Sequence, residues 1–141
     1  MFTSISSRAA SAYKRVGVQT SVEGANPHQL VNMLFDALLS AMAAARSAIE
    51  RGDIEGKGRD IGKAVRIIEE GLLSSLNKEA GGDVAANLAG VYVYCTRCLT
   101  QANLKNDAGK VEEAVALIEP IADAWKQMRL DGLNVQSGAG A

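Results

Sequence analysis

The run Asn26-Pro27-His28-Gln29-Leu30-Val31-Asn32-Met33-Leu34-Phe35-Asp36-Ala37-Leu38-Leu39 specifies a helix start and then gives that helix more apolar surface than one packing face uses. Asn26 can accept a hydrogen bond from an unpaired first-turn amide, Pro27 suits the first helical position, and Gln29 can reach back to the cap amide. Leu30, Met33, Leu34, Ala37, Leu38, Ala41, Ala45, Ala48 and Ile49 then recur at helical spacing, and Val31, Phe35, Leu39 and Met42 widen the arc sideways. A helix apolar over so wide an arc either sits at the centre of a bundle or carries a groove for a partner on one flank.

The pattern repeats three more times. The first helix is predicted from Pro27 to Arg51, where Gly52 supplies a left-handed stop and Asp53 a fresh cap. A second helix carries Ile61, Ala64, Val65, Ile68, Leu72, Leu73 and Leu76 and ends near Asn77, its first turns weakened by Gly56, Gly58 and Gly62. Gly81-Gly82 breaks the pattern, and Asp83 can cap a third helix with the stripe Val84, Leu88, Val91, Tyr92, Cys95, Leu99 and Ala102, which closes between Asn103 and Asp107. A fourth runs from Ala108 to about Leu130 through Val111, Val115, Ile118, Ala122 and Trp125, with a kink or break expected near Leu117 to Glu119 because Pro120 lacks an amide and crowds the preceding turn. Only 4% of residues are aromatic and alanine recurs throughout, which favours close-packed helices over a sheet. The expected architecture is all-α: an antiparallel up-down-up-down four-helix bundle over residues 25–131. A mobile arm at 1–24, with at most one short helix, precedes it, and a disordered Gly/Ser/Ala tail at 132–141 comes after it.

Several functional classes are disfavoured. Net charge is −1 with basic and acidic residues interspersed, so there is no electrostatic footprint for nucleic acid. No apolar run is read as long enough to cross a bilayer and no leader pattern opens the chain, which predicts a cytoplasmic protein without membrane insertion. Cys95-Thr96-Arg97-Cys98 has the spacing of a redox pair, yet it falls in mid-helix rather than at a helix start after a strand, so packing cysteines are expected. A zinc site would need four ligands, and His28, the single histidine, lies on another element. His28 reads as an exposed or capping residue, Asp36, Glu69, Glu70 and Glu79 as solvated or helix-pairing charges, and Trp125 as a core anchor. No catalytic constellation, metal site or cofactor is expected.

An ordered set of motifs resembles the flagellin-specific export chaperones of the FliS family. They are Ala12-Tyr13-Lys14-Arg15-Val16, the Asn26-to-Leu30 start with Met33-Leu34-Phe35-Asp36, Lys63-Ala64-Val65-Arg66-Ile67-Ile68-Glu69-Glu70, and Gly81-Gly82-Asp83-Val84-Ala85-Ala86-Asn87-Leu88. The likeness continues through Val91-Tyr92-Val93-Tyr94, Leu99, Ala102-Asn103 and Asp107 to Ala124-Trp125, covering roughly residues 8 to 130. This chain departs from the family pattern at Cys95 and Cys98, at Pro120, and in the glycines that begin the second helix.

The resemblance implies a four-helix bundle whose amino-terminal segment can cover an apolar groove, with binding rather than catalysis as its activity. The implied partners are the carboxy-terminal segment of flagellin, held in the cytoplasm against premature polymerisation, and a component of the flagellar type III export gate. Tyr13 is then the expected arm contact, although it could equally cover the bundle edge, and Leu30, Met33, Leu34, Ala37, Leu38 and Ala41 are the expected groove wall. A disordered client with an apolar stripe needs long grooves lined by small and flexible apolar residues, which Met33, Ala37, Ala41, Met42 and Ala45 supply. Two other classes stay open on the residues alone: an adaptor bundle that forms a homodimer through the same apolar face, and a thiol-disulfide protein using Cys95 and Cys98.

Overall fold

Asn26 opens the first helix with extended backbone (φ −81°, ψ 169°). Its Oδ1 accepts from the Gln29 amide at 2.8 Å, and Gln29 Oε1 accepts from the Asn26 amide at 2.9 Å. This reciprocal box, with Pro27 in the first turn, launches α1, Pro27–Arg51. The computed structural model describes residues 26–76 and 78–139, with side chains as far as Met128 except those of Lys78 and Ala80. The arm expected at 1–24, Tyr13 included, lies outside the described residues.

After α1 come α2, Ile54–Arg66, which runs on into a π-helical segment, Ile67–Leu73; then α3, Lys78–Lys105, and α4, Ala108–Ala139, with no strand among the described residues. Helices α1 and α3 each pack beside both α2 and α4, while α1 and α3 stay diagonal to one another, as do α2 and α4. The result is the expected four-helix bundle.

Two turns of the same design close one end. Gly52 adopts the left-handed conformation (φ 72°, ψ 22°), and the Asp53 amide reaches back to the Ala48 carbonyl at 2.8 Å. Asn106 (φ 53°) does the same after α3, where the Asp107 amide meets the Ala102 carbonyl at 3.1 Å. Asp53 and Asp107 then cap the next helices through the Gly56 and Gly109 amides, each at 2.9 Å. Lys57, only 8% exposed, ties the turns together: its ammonium donates to the Asn103 carbonyl at 2.9 Å and to Asn106 Oδ1. A cation at the carbonyl end of α3 also meets the negative end of that helix.

The core is a continuous cluster in which Leu30, Leu34, Phe35, Leu38 and Met42 of α1 meet Ile61, Ala64, Ile67 and Ile68, Cys95 and Leu99 of α3, and Val111, Ala114 and Ile118 of α4. The break expected at Gly81-Gly82 is present, since Gly82 holds a backbone (φ 54°, ψ −129°) that side chains disfavour and splits one turn from the rest of α3. Val84, expected in the α3 stripe, is instead 67% exposed.

Four expectations are corrected. The second helix is not α-helical to Asn77: after Arg66 its turns widen, so that Ile67, Ile68, Gly71 and Leu72 are all buried. The fourth helix passes Pro120 unbroken; Pro120 and Ala116, whose carbonyl loses its usual donor, are both exposed, so water can replace the missing bond. The backbone stays helical over 132–139, where a tail was expected; Gly132 and Gly138 each cost about 1 kcal/mol relative to alanine without ending the helix. Finally, α1 is long and apolar enough to span a bilayer, but Leu30, Leu34, Leu38 and Met42 bury that surface in the bundle core.

Gly71 sets how closely α1 and the π-helical segment approach. A β-carbon at that position would lie 3.1 Å from Leu34 Cδ2, tighter than ordinary packing. Gly71→Val therefore overpacks this contact and is expected to lower stability by about 1–3 kcal/mol, read as a reduced urea midpoint at constant slope.

Candidate functional site: an apolar groove at the open end

Opposite the two tight turns, the four helices part around a groove of about 370 Å³. From α1 come Val31 and Phe35, from the π-helical segment and the turn after it Leu72, Ser75 and Leu76, and from α4 Ile121 and Trp125. Helix α3 supplies Gly81, Val84, Ala85, Leu88 and Tyr92. Phe35, Leu72 and Tyr92 form a buried floor, and Val84 stands on an exposed rim.

Two polar side chains of this lining are engaged within the chain. Trp125 Nε1 donates to the His28 carbonyl at 3.1 Å, and the indole and imidazole centroids lie 5.0 Å apart with their planes at 35°. Ser75 Oγ donates to the Gly71 carbonyl at 2.7 Å. Burial, with the nearby Cys95 adding to it, pushes the Tyr92 phenol up to about 12, so it stays neutral. A ligand entering here gains apolar contact and meets almost no charge, which suits hydrophobic side chains of another polypeptide and not a polar metabolite.

Of the residues expected to wall the groove, Leu30, Leu34 and Leu38 are 1%, 0% and 0% exposed and Ala41 6%. They are core, and only Met33 and Ala37 are half-buried. The groove takes the neighbouring flank of α1 instead, at Val31 and Phe35. Trp125, expected as a core anchor, is half-buried and bridges α4 to the first turn of α1, while His28 is exposed as expected. The signal for this flank was the width of the apolar arc. Which flank would be covered depended on where α2 and α4 pack, which periodicity along one helix does not encode.

Cys95 and Cys98 are free and buried. The Cys95 thiol approaches the Ala114 carbonyl at 4.0 Å, and burial, reinforced by Cys98 and Glu113, raises it to about 12. Burial likewise raises Cys98, with Glu113 acting in the same direction. A reactive redox pair has its thiolate stabilised, and here it is opposed. On the adjoining α3–α4 surface the Tyr94 hydroxyl donates to Glu113 Oε2, and Lys110 Nζ lies 3.3 Å from Oε1. The bond to Glu113 pushes Tyr94 up to about 12 and holds Glu113 below its usual range. Among the described residues no group of three or more His, Cys, Asp or Glu side chains is placed to hold a metal.

The family model described as "Flagellar protein FliS" matches residues 9–131. The chain is 48% identical over 117 residues to the flagellar secretion chaperone FliS of Salmonella typhimurium, covering 83% of this chain and 87% of the relative. It is 44% identical over 125 residues to that of Escherichia coli, covering 89% and 92%. With the flagellar secretion chaperone FliSB of Pseudomonas aeruginosa it shares 39% over 118 residues, covering 84% and 93%. These relatives are named as chaperones, a non-enzymatic family, so the apolar groove and the neutral thiols belong to a binding protein.

The thiol environment has a measurable consequence. Below pH 9 the folded and unfolded chains both hold the Cys95 proton; above it the unfolded chain releases it near 9.0 and the folded chain only at about 12. Stability should therefore fall as pH rises from 9 towards 12, with Tyr92 adding to the decline above its own unfolded value of 10.0. Urea midpoints taken from pH 7 to 11 check this, and Cys95→Ala should flatten the part of the slope that begins near pH 9. In native buffer both thiols should react slowly with a thiol reagent, and rapidly once unfolded.

Proposed function

The chain belongs to the FliS family of flagellar secretion chaperones, and on that premise we propose that its open-end groove holds the carboxy-terminal segment of flagellin in the cytoplasm, prevents its premature polymerisation and helps deliver it to the flagellar export gate. The observation that carries this reading is a predominantly apolar groove floored by Phe35, Leu72 and Tyr92, in which the Ser75 hydroxyl and the Trp125 indole are already bonded within the chain. Such a surface recovers free energy by removing apolar side chains from water, at roughly 25 cal/mol per Å² buried. Ordering a disordered segment costs about 2–5 kcal/mol, so the client must bury a long stretch. Met33 and Ala37, half-buried beside the groove flank, and Tyr13 of the arm are the further contacts proposed for it.

The charged surroundings fit a role in masking rather than in steering. The ion pairs between α1 and α4, Arg46 with Glu112 at 3.4 Å and Asp36 with Lys126 at 4.0 Å, are exposed. They are worth little in stability and leave no single-signed field. Selection of the client therefore falls to shape and apolar contact.

Titration calorimetry with the flagellin carboxy-terminal segment is the direct test. Val84→Asp places a charge on the exposed rim and should weaken capture at least tenfold while leaving the thermal midpoint nearly unchanged. Leu34→Asp buries an unpaired charge in the core and should unfold the bundle instead. Absence of binding by the unmodified chain to that segment would reject the reading. A tight, concentration-independent dimer in sedimentation without client, disrupted by Val84→Asp, would show that a second copy occupies the groove.

A further inference from the structure

The groove wall contributed by the second helix hangs on an irregular stretch of backbone. Through Ile67–Leu73 the turns are π-helical, and at their end the register tightens abruptly: the Ser74 amide bonds the Gly71 carbonyl, and the Leu76 amide the Leu73 carbonyl at 3.2 Å. In a regular α-helix the Ser74 amide would serve the Glu70 carbonyl. Here the Ser74 amide bonds Gly71 instead, and the Ser74 hydroxyl donates to the Glu70 carbonyl. The Ser75 hydroxyl adds a bond to the Gly71 carbonyl at 2.7 Å. Two consecutive serines thus stitch the passage from wide to narrow turns.

The wall residues flank this stitch. Leu72, Ser75 and Leu76 line the groove, and Ser74 and Ser75 are half-buried beside them. In a helix each residue of register corresponds to about 100° of rotation. Return of this stretch to α-helical register would swing Leu72 and Leu76 away from Ile121 and Trp125 across the groove. The clearance that admits the wide turns is provided elsewhere, by Gly71 against Leu34. Serine is a poor choice for a helix interior because its hydroxyl competes for backbone groups, and here that competition holds the geometry.

We infer that Ser74 and Ser75 are positioning residues for client binding: their hydroxyls lock the end of the π-helical segment and so hold Leu72 and Leu76 in the groove wall. This rests on the groove being the client site, as proposed above.

The test compares Ser74→Ala/Ser75→Ala with Ser74→Thr/Ser75→Thr, since threonine keeps a hydroxyl able to bond the same carbonyls. Flagellin carboxy-terminal segment is titrated calorimetrically into each full-length variant. Fluorescence of Trp125, the single tryptophan of the chain, reports groove geometry without client. The alanine pair should bind at least tenfold more weakly and shift the Trp125 emission, with helical circular dichroism retained; the threonine pair should restore both signals. Unchanged affinity and emission in the alanine pair, or a loss that threonine does not restore, would overturn the inference. If the alanine pair unfolds, Ser75→Ala alone is read by the same criteria against Ser75→Thr. Failure of the groove reading is separate, because it shows as absence of binding by the unsubstituted chain.

Discussion

The packing of α1 on two sides constrains everything else in this bundle. Like α3 it lies against both α2 and α4, and the row Leu30, Leu34, Leu38 and Ala41 is consumed by that position. Beyond that row the arc continues sideways, where Phe35 is buried and Val31 only half-buried. Val31 and Phe35 are the consequence: they belong to the same arc, yet they face the place where α3, the π-helical segment and α4 separate. The groove is therefore the geometric remainder of a helix made too apolar for its core.

That remainder is kept open by local chemistry at its edges. Gly82 breaks α3 after its first turn, and the wide turns at Ile67–Leu73 precede the end of the second helix. Trp125 then fastens α4 to the first turn of α1 through one hydrogen bond to a backbone carbonyl. Each fixes where a wall residue stands, which matters more for a surface that selects by shape than for one that selects by charge.

Much of this was legible in the residues. Asn26, Pro27 and Gln29 marked the start of α1, and Gly52 and Asp53 its end, because caps and left-handed stops are short-range chemistry written in adjacent positions. Gly81-Gly82 announced the break in α3 for the same reason. The failures have a common cause as well. The π-helical turns depend on Gly71 meeting Leu34, the continuity of α4 through Pro120 depends on which face is wet, and the division of α1 between core and groove depends on its neighbours. Each is a relation between elements distant in sequence, and a pattern along one helix does not contain it. Leu34 illustrates the limit: its spacing placed it correctly on an apolar face, and only the proximity of the second helix made that face interior.

The two ends of the molecule are finished differently, and this has a bearing on its motions. At one end Lys57 binds the α3 carbonyl terminus and the Asn106 side chain, joining two capped turns into a single hydrogen-bonded unit. At the other, the break at Gly82, the widened turns and the Trp125 indole hydrogen bond take the place of such a buried cationic clasp. Local opening free energies track the density of buried contacts and bonds, and at the Lys57 end a buried cation adds bonds that link two helices. If the groove holds a client as proposed, that clasp lies at the opposite end of the bundle, where loading and release would leave it undisturbed.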